Sequence, residues 1–327
     1  MPQISIVVPA YNEEENIRIL SERLVSILQS IRCDYEILII DDGSRDRTWE
    51  AIEGVHQENS RIRGLRLSRN FGHQNALLAG LHAARGAAVI TMDADMQHPP
   101  EIIPELVRHW KEGCKIVNTI RTETERESLP KRLTSRLFYR AFSWLSGSSL
   151  REGMSDFRLL DRDVVEVLKQ FNEPHVFLRG LVQWIGFRTR EVRFGAPARH
   201  KGSTKYSWRR MIGFALVGLT SFSILPLRLS IMVGMLTAVL AFAELCYVVV
   251  VALVNETAVP GWASTLGIIS LLFGVLFIML GVIGEYIGRV FEVAKGRPLF
   301  IVEERLSTAG QQVSTTDERV TTKSLVD

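Results

Sequence analysis

Residues 4–44, ISIVVPAYNEEENIRILSERLVSILQSIRCDYEILIIDDGS, contain the pattern that decides the fold. A β-branched apolar run is followed by a segment whose apolar residues recur at helical spacing, and a second apolar run of strand type comes next. The same order repeats along the chain, and a fourth strand is predicted in AAVITMDAD, residues 87–95. This alternation predicts right-handed βαβ crossovers and an α/β fold with a mostly parallel, doubly wound sheet.

The composition is that of a folded protein of about two domains. The chain has 327 residues, of which 46% are hydrophobic and 23% are charged, and its net charge is +3. These values exclude a disordered or collagen-like chain. The charge is also too nearly balanced for a dedicated nucleic-acid-binding protein. Three widely spaced cysteines give neither a disulfide framework nor a cysteine metal site, which favours a reducing compartment.

Two long apolar segments predict a transmembrane hairpin. Residues 229–254 and 266–283 are each long enough to cross about 30 Å of hydrocarbon as a helix. The alternative is a buried helical hairpin in a soluble core. Arginine and lysine flank the pair, whereas the connection between the segments has neither. The large amino-terminal domain and both termini are therefore expected on the cytoplasmic side.

Acidic residues follow the predicted strands at their carboxyl ends, where an α/β sheet binds its ligands. Glu13 follows the first strand, Asp42 the second, and Asp93 and Asp95 the fourth. Alternate residues of an extended segment point the same way, so Asp93 and Asp95 can reach one site. Paired carboxylates favour Mg²⁺ or Mn²⁺ together with an anionic ligand, although aspartates also cap turns. No glycine-rich dinucleotide motif and no P-loop motif is present in the sequence.

Four segments carry a family resemblance in their order and spacing: PAYNEE, DDGSRDRT, RNFGHQNALLAGL and DADMQHPPE. With the later SDFRLLDR, RHKGSTKYSWRRM and the apolar hairpin, the chain resembles the GT-A glycosyltransferases of family 2. It is most similar to the polyprenyl-phosphate branch, which includes dolichol-phosphate mannose synthases and bactoprenol glucosyltransferases. The resemblance covers almost the whole chain. It implies a metal-dependent, inverting enzyme that moves a hexose, first of all glucose from UDP-glucose, onto undecaprenyl or another polyprenyl phosphate.

The resemblance also implies roles for individual residues. The nucleoside is held by Pro9, Tyr11, Glu13 and Asp42; the metal by Asp93 and Asp95, with Gln97 beside them; the donor diphosphate by Arg199, Ser203 and Lys205; and the acceptor phosphate by Arg121 and Arg132. For Asp42 the alternative is an Asx turn into the next helix, which its neighbour Asp41 can form instead. For the cationic loop the alternative is contact with anionic lipid headgroups.

Asp156, in the segment SDFR, is implied as the catalytic carboxylate. A phosphate monoester loses its second proton near pH ~6, so the acceptor is already largely anionic at neutral pH. A general base is then less necessary than for a sugar hydroxyl. Physical reasoning therefore favours Asp156 as a group that positions the acceptor or a cation, with proton abstraction second. The alternative is an ion pair with Arg158 that orders a loop.

The expected organisation is a GT-A catalytic domain in residues 1–205, interfacial helices in 206–228, a two-helix transmembrane hairpin in 229–291, and a cytoplasmic tail in 292–327. The last 25 or so residues are polar and are expected to be disordered. The resemblance places this multi-pass protein in a bacterial inner membrane. Glu244 within the first span favours a contact between helices or between subunits, and a homo-oligomer is expected. Alternative functions are transfer of N-acetylglucosamine, mannose or an aminoarabinose derivative, polysaccharide synthesis, or non-enzymatic nucleotide sensing.

Overall fold

The computed structural model describes residues 2–122, 154–171, 177–195, 225–254 and 261–306. These residues fall into two compact units. An α/β unit contains the described residues up to 195 and those from 298 onward, and a helical unit lies between residues 225 and 297. Most of the predicted interfacial segment, residues 206–224, lies outside the described residues.

The first half of the α/β unit alternates strands and helices as the sequence predicts. In chain order it contains β1 (Ile4–Ala10), α1 (Glu14–Ser30), β2 (Tyr35–Asp41), α2 (Thr48–Glu58), β3 (Ile62–Leu67), α3 (His73–Ala83) and β4 (Ala88–Thr91). These four strands pair in parallel in the order β4-β1-β2-β3. Every residue of β1 and β2 is buried. Continuous apolar runs are typical of parallel strands that are covered on both faces.

The second half adds strands in both directions. It contains α4 (Ile103–Lys111), β5 (Ile116–Thr122), β6 (Met154–Asp161), α5 (Arg162–Leu168), α6 (Leu178–Trp184) and β7 (Thr189–Gly195). Strand β6 lies between β4 and β5 and is antiparallel to both, while β7 is parallel to β5. Because β6 runs against its neighbours, its amino-terminal end lies at the edge where β4 and β5 end.

Helices cover both faces of this sheet, as alternating side chains of β1 demonstrate. Ile4, Ile6 and Val8 belong to an apolar cluster that includes side chains of α1, α2 and α4. Val7 points to the other face, towards α3. Helix α3 can lie close to β1 because Gly80 has no side chain. A Cβ at position 80 would lie 2.2 Å from Cγ1 of Val7. The predicted doubly wound α/β fold is therefore confirmed.

An eighth strand, β8 (Val302–Leu306), pairs antiparallel with β3 at one edge of the sheet. The pairing continues in a hydrogen bond from the N–H of Ser68 to the carbonyl oxygen of Ile301, 3.0 Å long. The prediction of disorder over the last 25 or so residues is wrong for residues 303–306, and the rest of that tail, residues 307–327, lies outside the described residues. That prediction depends on polar composition, but an edge strand offers unpaired backbone groups to any extended segment, and charged side chains are common on edges.

The helical unit contains α7 (Leu225–Val254) and α8 (Trp262–Ala294), which match the two predicted apolar segments. The helices pack against each other where Gly234 meets Met279, since a Cβ on Gly234 would lie 2.7 Å from Cε of Met279. Among the described residues, one stretch, Leu271–Ala294, is long and apolar enough to cross a membrane, and Leu229–Ala243 is a shorter apolar helix. Many described apolar side chains of both helices are exposed.

Candidate active site

The ends of the strands bring the predicted acidic residues to one edge of the sheet. Glu13 follows β1, Asp42 follows β2, and Asp93 follows β4, all at the carboxyl ends of parallel strands. Asp156 reaches the same edge from the amino-terminal end of β6. The hydroxyl of Thr91 donates a hydrogen bond to the carbonyl oxygen of Asp156. The segments that carry Asp93 and Asp156 are therefore adjacent.

The segment after β1 turns sharply at Asn12, whose φ is 55°. Glu13 follows, and its N–H donates to Oγ1 of Thr48 at 2.9 Å. Burial raises the pKa of the Glu13 carboxyl group. Of the other residues predicted to hold the nucleoside, Pro9 is buried within β1, whereas the side chain of Tyr11 is exposed at its end. Their contacts with a nucleoside remain predictions.

The two aspartates after β2 have different partners. Asp41 forms the Asx turn, because its Oδ1 accepts from the N–H of Ser44 at 2.9 Å. The oxygens of Asp42 accept from the N–H groups of Phe71 and Gly72 at 2.7 and 3.0 Å. Burial raises the pKa of Asp42 despite these two bonds. Asp42 thus orders the loop before α3, and its predicted contact with the nucleoside remains a prediction.

Asp93 and Asp95 lie on the loop after β4. Oδ1 of Asp95 accepts from the N–H of Gln97 at 3.1 Å, across Met96, whose φ is 62°. Oε1 of Gln97 accepts in turn from Nη1 of Arg121 at 3.3 Å. The structure therefore places Arg121, on β5, beside the loop of the two aspartates.

The Asp93 carboxylate has an unmatched oxygen that suits a cation. Its Oδ1 is buried and accepts no hydrogen bond from the described residues, although Nε2 of His73 lies 3.4 Å away. Leaving such an atom unmatched is costly unless a further ligand binds it. The described residues include no group of three or more His, Cys, Asp or Glu side chains arranged to hold a metal ion. The carboxylates of Asp93 and Asp95 fit Mg²⁺ or Mn²⁺ by their chemistry, because these ions bind oxygen ligands and need few protein carboxylates when substrate phosphates also bind.

Two histidines lie next to the Asp93 carboxylate. His98 is buried, with Nδ1 2.9 Å from the backbone nitrogen of Asp93 and Nε2 2.6 Å from Oγ of Ser155. Nε2 of His73 lies 3.4 Å from Oδ1 of Asp93 and 3.6 Å from Oδ2 of Asp156. Burial lowers the pKa of His98. Burial also opposes protonation of His73, but the contact with Asp156 and the charge of Asp93 outweigh this effect and raise the pKa of His73.

Asp156 is buried, and both of its carboxylate oxygens accept hydrogen bonds. Nε and Nη2 of Arg179, on α6, donate to Oδ1 and Oδ2 at 2.9 and 2.8 Å. Nη2 of Arg158 donates to Oδ1 at 3.2 Å, and Nε2 of Gln74 donates to Oδ2 at 3.3 Å. Burial disfavours the charged carboxylate, but His73 and the two arginines outweigh it and hold the pKa of Asp156 well below its ordinary value. The ion pair between Asp156 and Arg158, which was the alternative prediction, is present, but both residues lie on strand β6 and not in a loop.

Some predicted residues lie outside the described part of the chain: Arg132, Arg199, Ser203 and Lys205. Four residues at the site have no predicted role: His73, Gln74, His98 and Arg179. The first three fall within the motifs RNFGHQNALLAGL and DADMQHPPE, directly after β3 and β4. Their position after a strand is the sequence feature that could have indicated a role at the site. Arg179 is 23 residues from Asp156 in sequence, and no local pattern indicates the pairing.

Two family models match this chain. Residues 5–168 match "Glycosyl transferase family 2", and residues 225–290 match "GtrB C-terminal hairpin". The chain belongs to glycosyl transferase family 2. This finding confirms the predicted family and a transferase activity. The second match covers most of α7 and α8.

Relatives match over nearly the whole chain. An uncharacterized glycosyltransferase of Synechocystis, sll0501, is 41% identical over 302 residues, which are 92% of this chain and 95% of that protein. The bactoprenol glucosyl transferase of Shigella phage SfII is 36% identical, over 92% of this chain and 98% of its own. A solved structure, glucosyl-3-phosphoglycerate synthase of Mycobacterium tuberculosis with Mn²⁺, UDP-glucose and phosphoglyceric acid, is 20% identical, with a TM-score of 0.45 over 67% of this chain and 79% of that one.

Proposed function

We propose that this glycosyltransferase moves glucose from UDP-glucose onto undecaprenyl phosphate, or a related polyprenyl phosphate, at the cytoplasmic face of a bacterial inner membrane. The proposal depends on one observation above all. The loop of Asp93 and Asp95 lies at the edge of the sheet that Asp156 also reaches, and Arg121 binds this loop through Gln97. The name of the Shigella phage relative supports both the sugar and the lipid acceptor. Another hexose is the alternative within the same chemistry.

Asp93 and Asp95 would hold a divalent cation, Mg²⁺ or Mn²⁺. When bound, such an ion neutralises the charge of the donor diphosphate and of the nucleoside diphosphate that leaves. The support is the buried Oδ1 of Asp93, which accepts no hydrogen bond from the described residues and has Nε2 of His73 3.4 Å away. Two carboxylates would otherwise repel a substrate that carries several negative charges.

The proposed reaction is a single displacement. An oxygen of the lipid phosphate attacks the anomeric carbon while the bond from that carbon to the nucleoside diphosphate breaks, so the anomeric configuration inverts. The nucleophile is already largely anionic at neutral pH and needs no general base. The surroundings of Asp156 agree with a reaction that uses no general base, because its carboxylate oxygens already accept hydrogen bonds from Arg179, Arg158 and Gln74. We assign to Asp156 the role of positioning the side chains that bind it, and to Arg121 the role of binding the acceptor phosphate.

Both α7 and α8 are proposed to cross the membrane, with their connection on the side away from the cytoplasm. The charge asymmetry of the flanking sequence supports this orientation. Large exposed apolar side chains on both helices, such as Phe242 and Ile278, are suited to contact with lipid. Glu244 is proposed to meet a second copy, because an ionisable side chain within a span needs a polar partner.

Product analysis tests the proposed function. The purified full-length protein is incubated in detergent with Mg²⁺ or Mn²⁺, undecaprenyl phosphate and one radiolabelled donor at a time: UDP-glucose, UDP-N-acetylglucosamine or GDP-mannose. We expect label in the organic phase with UDP-glucose alone, and none when the lipid is left out. Labelled lipid from another donor would show that the protein transfers that sugar instead of glucose. No labelled lipid from any sugar nucleotide would contradict the proposal.

A further inference from the structure

The imidazole of His98 joins the loop that carries Asp93 to the strand that carries Asp156. On one side, Nδ1 accepts a hydrogen bond of 2.9 Å from the backbone N–H of Asp93. On the other side, Nε2 lies 2.6 Å from Oγ of Ser155, the residue before Asp156. His98 is buried. One ring therefore links two of the segments that present acidic groups at the site.

The hydrogen bonds fix the tautomer of this ring. A backbone N–H can only donate, so Nδ1 of His98 is unprotonated and the ring proton lies on Nε2. Nε2 donates to Oγ of Ser155, which also accepts from the N–H of Phe157 at 3.1 Å. The serine hydroxyl is thereby held by the backbone of β6. Nε2 is also 3.7 Å from Oδ2 of Asp93, so the same ring faces the carboxylate itself.

Aromatic packing holds the plane of the ring. His98 stacks on Phe157 with 5.3 Å between ring centroids and an interplanar angle of 22°. Phe194, on β7, meets the imidazole edge-on, with centroids 6.1 Å apart and an angle of 77°. These contacts need only a flat ring, whereas the two hydrogen bonds need a nitrogen at both positions. A phenylalanine at position 98 would keep the packing and lose the hydrogen bonds.

We propose that His98 is a positioning residue, which fixes the backbone of Asp93 against β6 and so sets the direction in which Asp93 and Asp95 present their carboxylates to a divalent ion. The inference rests on the proposed function, in that these two aspartates bind the ion. It goes further in assigning the affinity for the ion to a residue that does not touch it. Groups that orient metal ligands typically change metal affinity about 10–100-fold when they are removed.

Direct measurement of ion binding tests this role. Full-length protein is titrated with Mn²⁺ in the presence of UDP, and free Mn²⁺ is followed by electron paramagnetic resonance, which requires no sugar transfer. We expect His98→Phe to weaken Mn²⁺ binding roughly tenfold or more. Ser155→Ala, which removes only one hydroxyl, is expected to weaken it by a smaller factor. The KM for UDP-glucose should rise in parallel in both variants.

His109→Phe is the matched control. His109 is also a buried histidine with side-chain partners at both ring nitrogens, Glu112 at 3.0 Å and Glu105 at 3.8 Å, but it lies on α4. We expect this variant to bind Mn²⁺ like the wild type. An equal loss in His109→Phe would overturn the proposal, because any buried histidine would then have the same effect. Wild-type affinity in both His98→Phe and Ser155→Ala would also overturn it.

Two further outcomes separate this proposal from others. If His98→Phe does not fold, Ser155→Ala decides: weaker Mn²⁺ binding supports the positioning role, and unchanged binding contradicts it. If Mn²⁺ binding depends on His98 but no sugar reaches the lipid, the proposed function fails and the positioning role stands. If the wild-type protein transfers sugar to the lipid but binds no Mn²⁺, the positioning role fails and the proposed sugar transfer stands.

Discussion

The guanidinium group of Arg179 binds both carboxylate oxygens of Asp156, through hydrogen bonds of 2.9 and 2.8 Å. The side chain of Asp156 is 5% exposed and that of Arg179 is 37% exposed, so the pair reaches from the interior to the surface of the site. Arg158, whose side chain is 3% exposed, binds the same carboxylate. Asp156 is therefore the counter-charge of two arginines, which suits it to positioning rather than to accepting a proton.

Asp156→Asn should destabilise the protein as well as inactivate it. The substitution keeps the shape but leaves the buried guanidinium of Arg158 without its counter-charge. Breaking a buried pair in this way costs about 3–5 kcal/mol. Denaturant unfolding in detergent, followed by tryptophan fluorescence, measures the loss. Arg179→Lys is the milder comparison, because lysine loses the two-point contact but keeps the charge. An Asp156→Asn variant with wild-type stability would contradict this interpretation of the pair.

The acidic limb of the pH–rate profile should include the ionisation of the acceptor and that of His73, whose pKa is raised because Asp156 and Asp93 outweigh its burial, but not that of Asp156. The pKa of Asp156 is held well below its ordinary value, so its contribution to stability is lost only as the pH falls through that depressed pKa. Its charge is therefore constant over the range in which the acceptor phosphate titrates. The second ionisation of a phosphate monoester, near pH ~6, falls within the working range. An acceptor phosphonate with a higher second pKa should move the limb upward, and a limb that does not move would contradict the prediction.

Gly80→Ala should destabilise the fold by displacing α3, whose first residues, His73 and Gln74, lie at the site. The new Cβ would lie 2.2 Å from Cγ1 of Val7 and 2.9 Å from Cδ1 of Ile40, so α3 must move away from the sheet. Overpacking of this kind costs about 1–3 kcal/mol. Gly54→Ala is the matched control, because a Cβ there meets nothing within 4 Å and alanine favours the helix. We expect a lower melting temperature for the first variant and an equal or higher one for the second. The opposite order would contradict the packing described for α3.

Glu36→Gln should lower stability while leaving donor binding unchanged. Glu36 lies near the beginning of β2, at the opposite end of the sheet from the site, and accepts hydrogen bonds from Ser5 Oγ, Arg63 Nη1 and the N–H of Arg85, 2.6–2.7 Å long. Removing its charge weakens the bond to Arg63, and a charged hydrogen bond contributes about 2 kcal/mol. Unfolding free energy and the KM for UDP-glucose are the measurements. A changed KM with unchanged stability would contradict a purely structural role.

The first four strands could be predicted from the sequence because three are apolar runs, β3 alternates apolar residues with arginine, and each is followed by a helix. Their carboxyl ends share one edge, so the positions of Asp42 and Asp93 followed from the topology. Strand β6 could not be placed in the same way, since local pattern does not tell a strand which neighbours it joins. Its antiparallel insertion between β4 and β5 is what brings Asp156 to the site.

The contacts around the predicted carboxylates could not be predicted. Arg179 and Asp156 meet only because α6 and β6 pack together, and His98 reaches Ser155 only because β6 runs beside β4. Such pairs depend on tertiary structure and leave no periodic signal. Strand β8 was missed for a related reason: composition describes how a segment interacts with water, and not whether a sheet edge such as β3 offers it a partner.

The most direct test of the central claim is the initial rate of glucose transfer from UDP-glucose to undecaprenyl phosphate by the wild type and by Asp95→Asn, with and without excess chelator. We predict that chelator abolishes transfer by the wild type and that Mg²⁺ or Mn²⁺ restores it. Asp95→Asn, present in the membrane in equal amount, should be slower by about 10²-fold or more. Full activity of the wild type in chelator, or equal rates for the two proteins, would contradict a divalent ion held by Asp93 and Asp95.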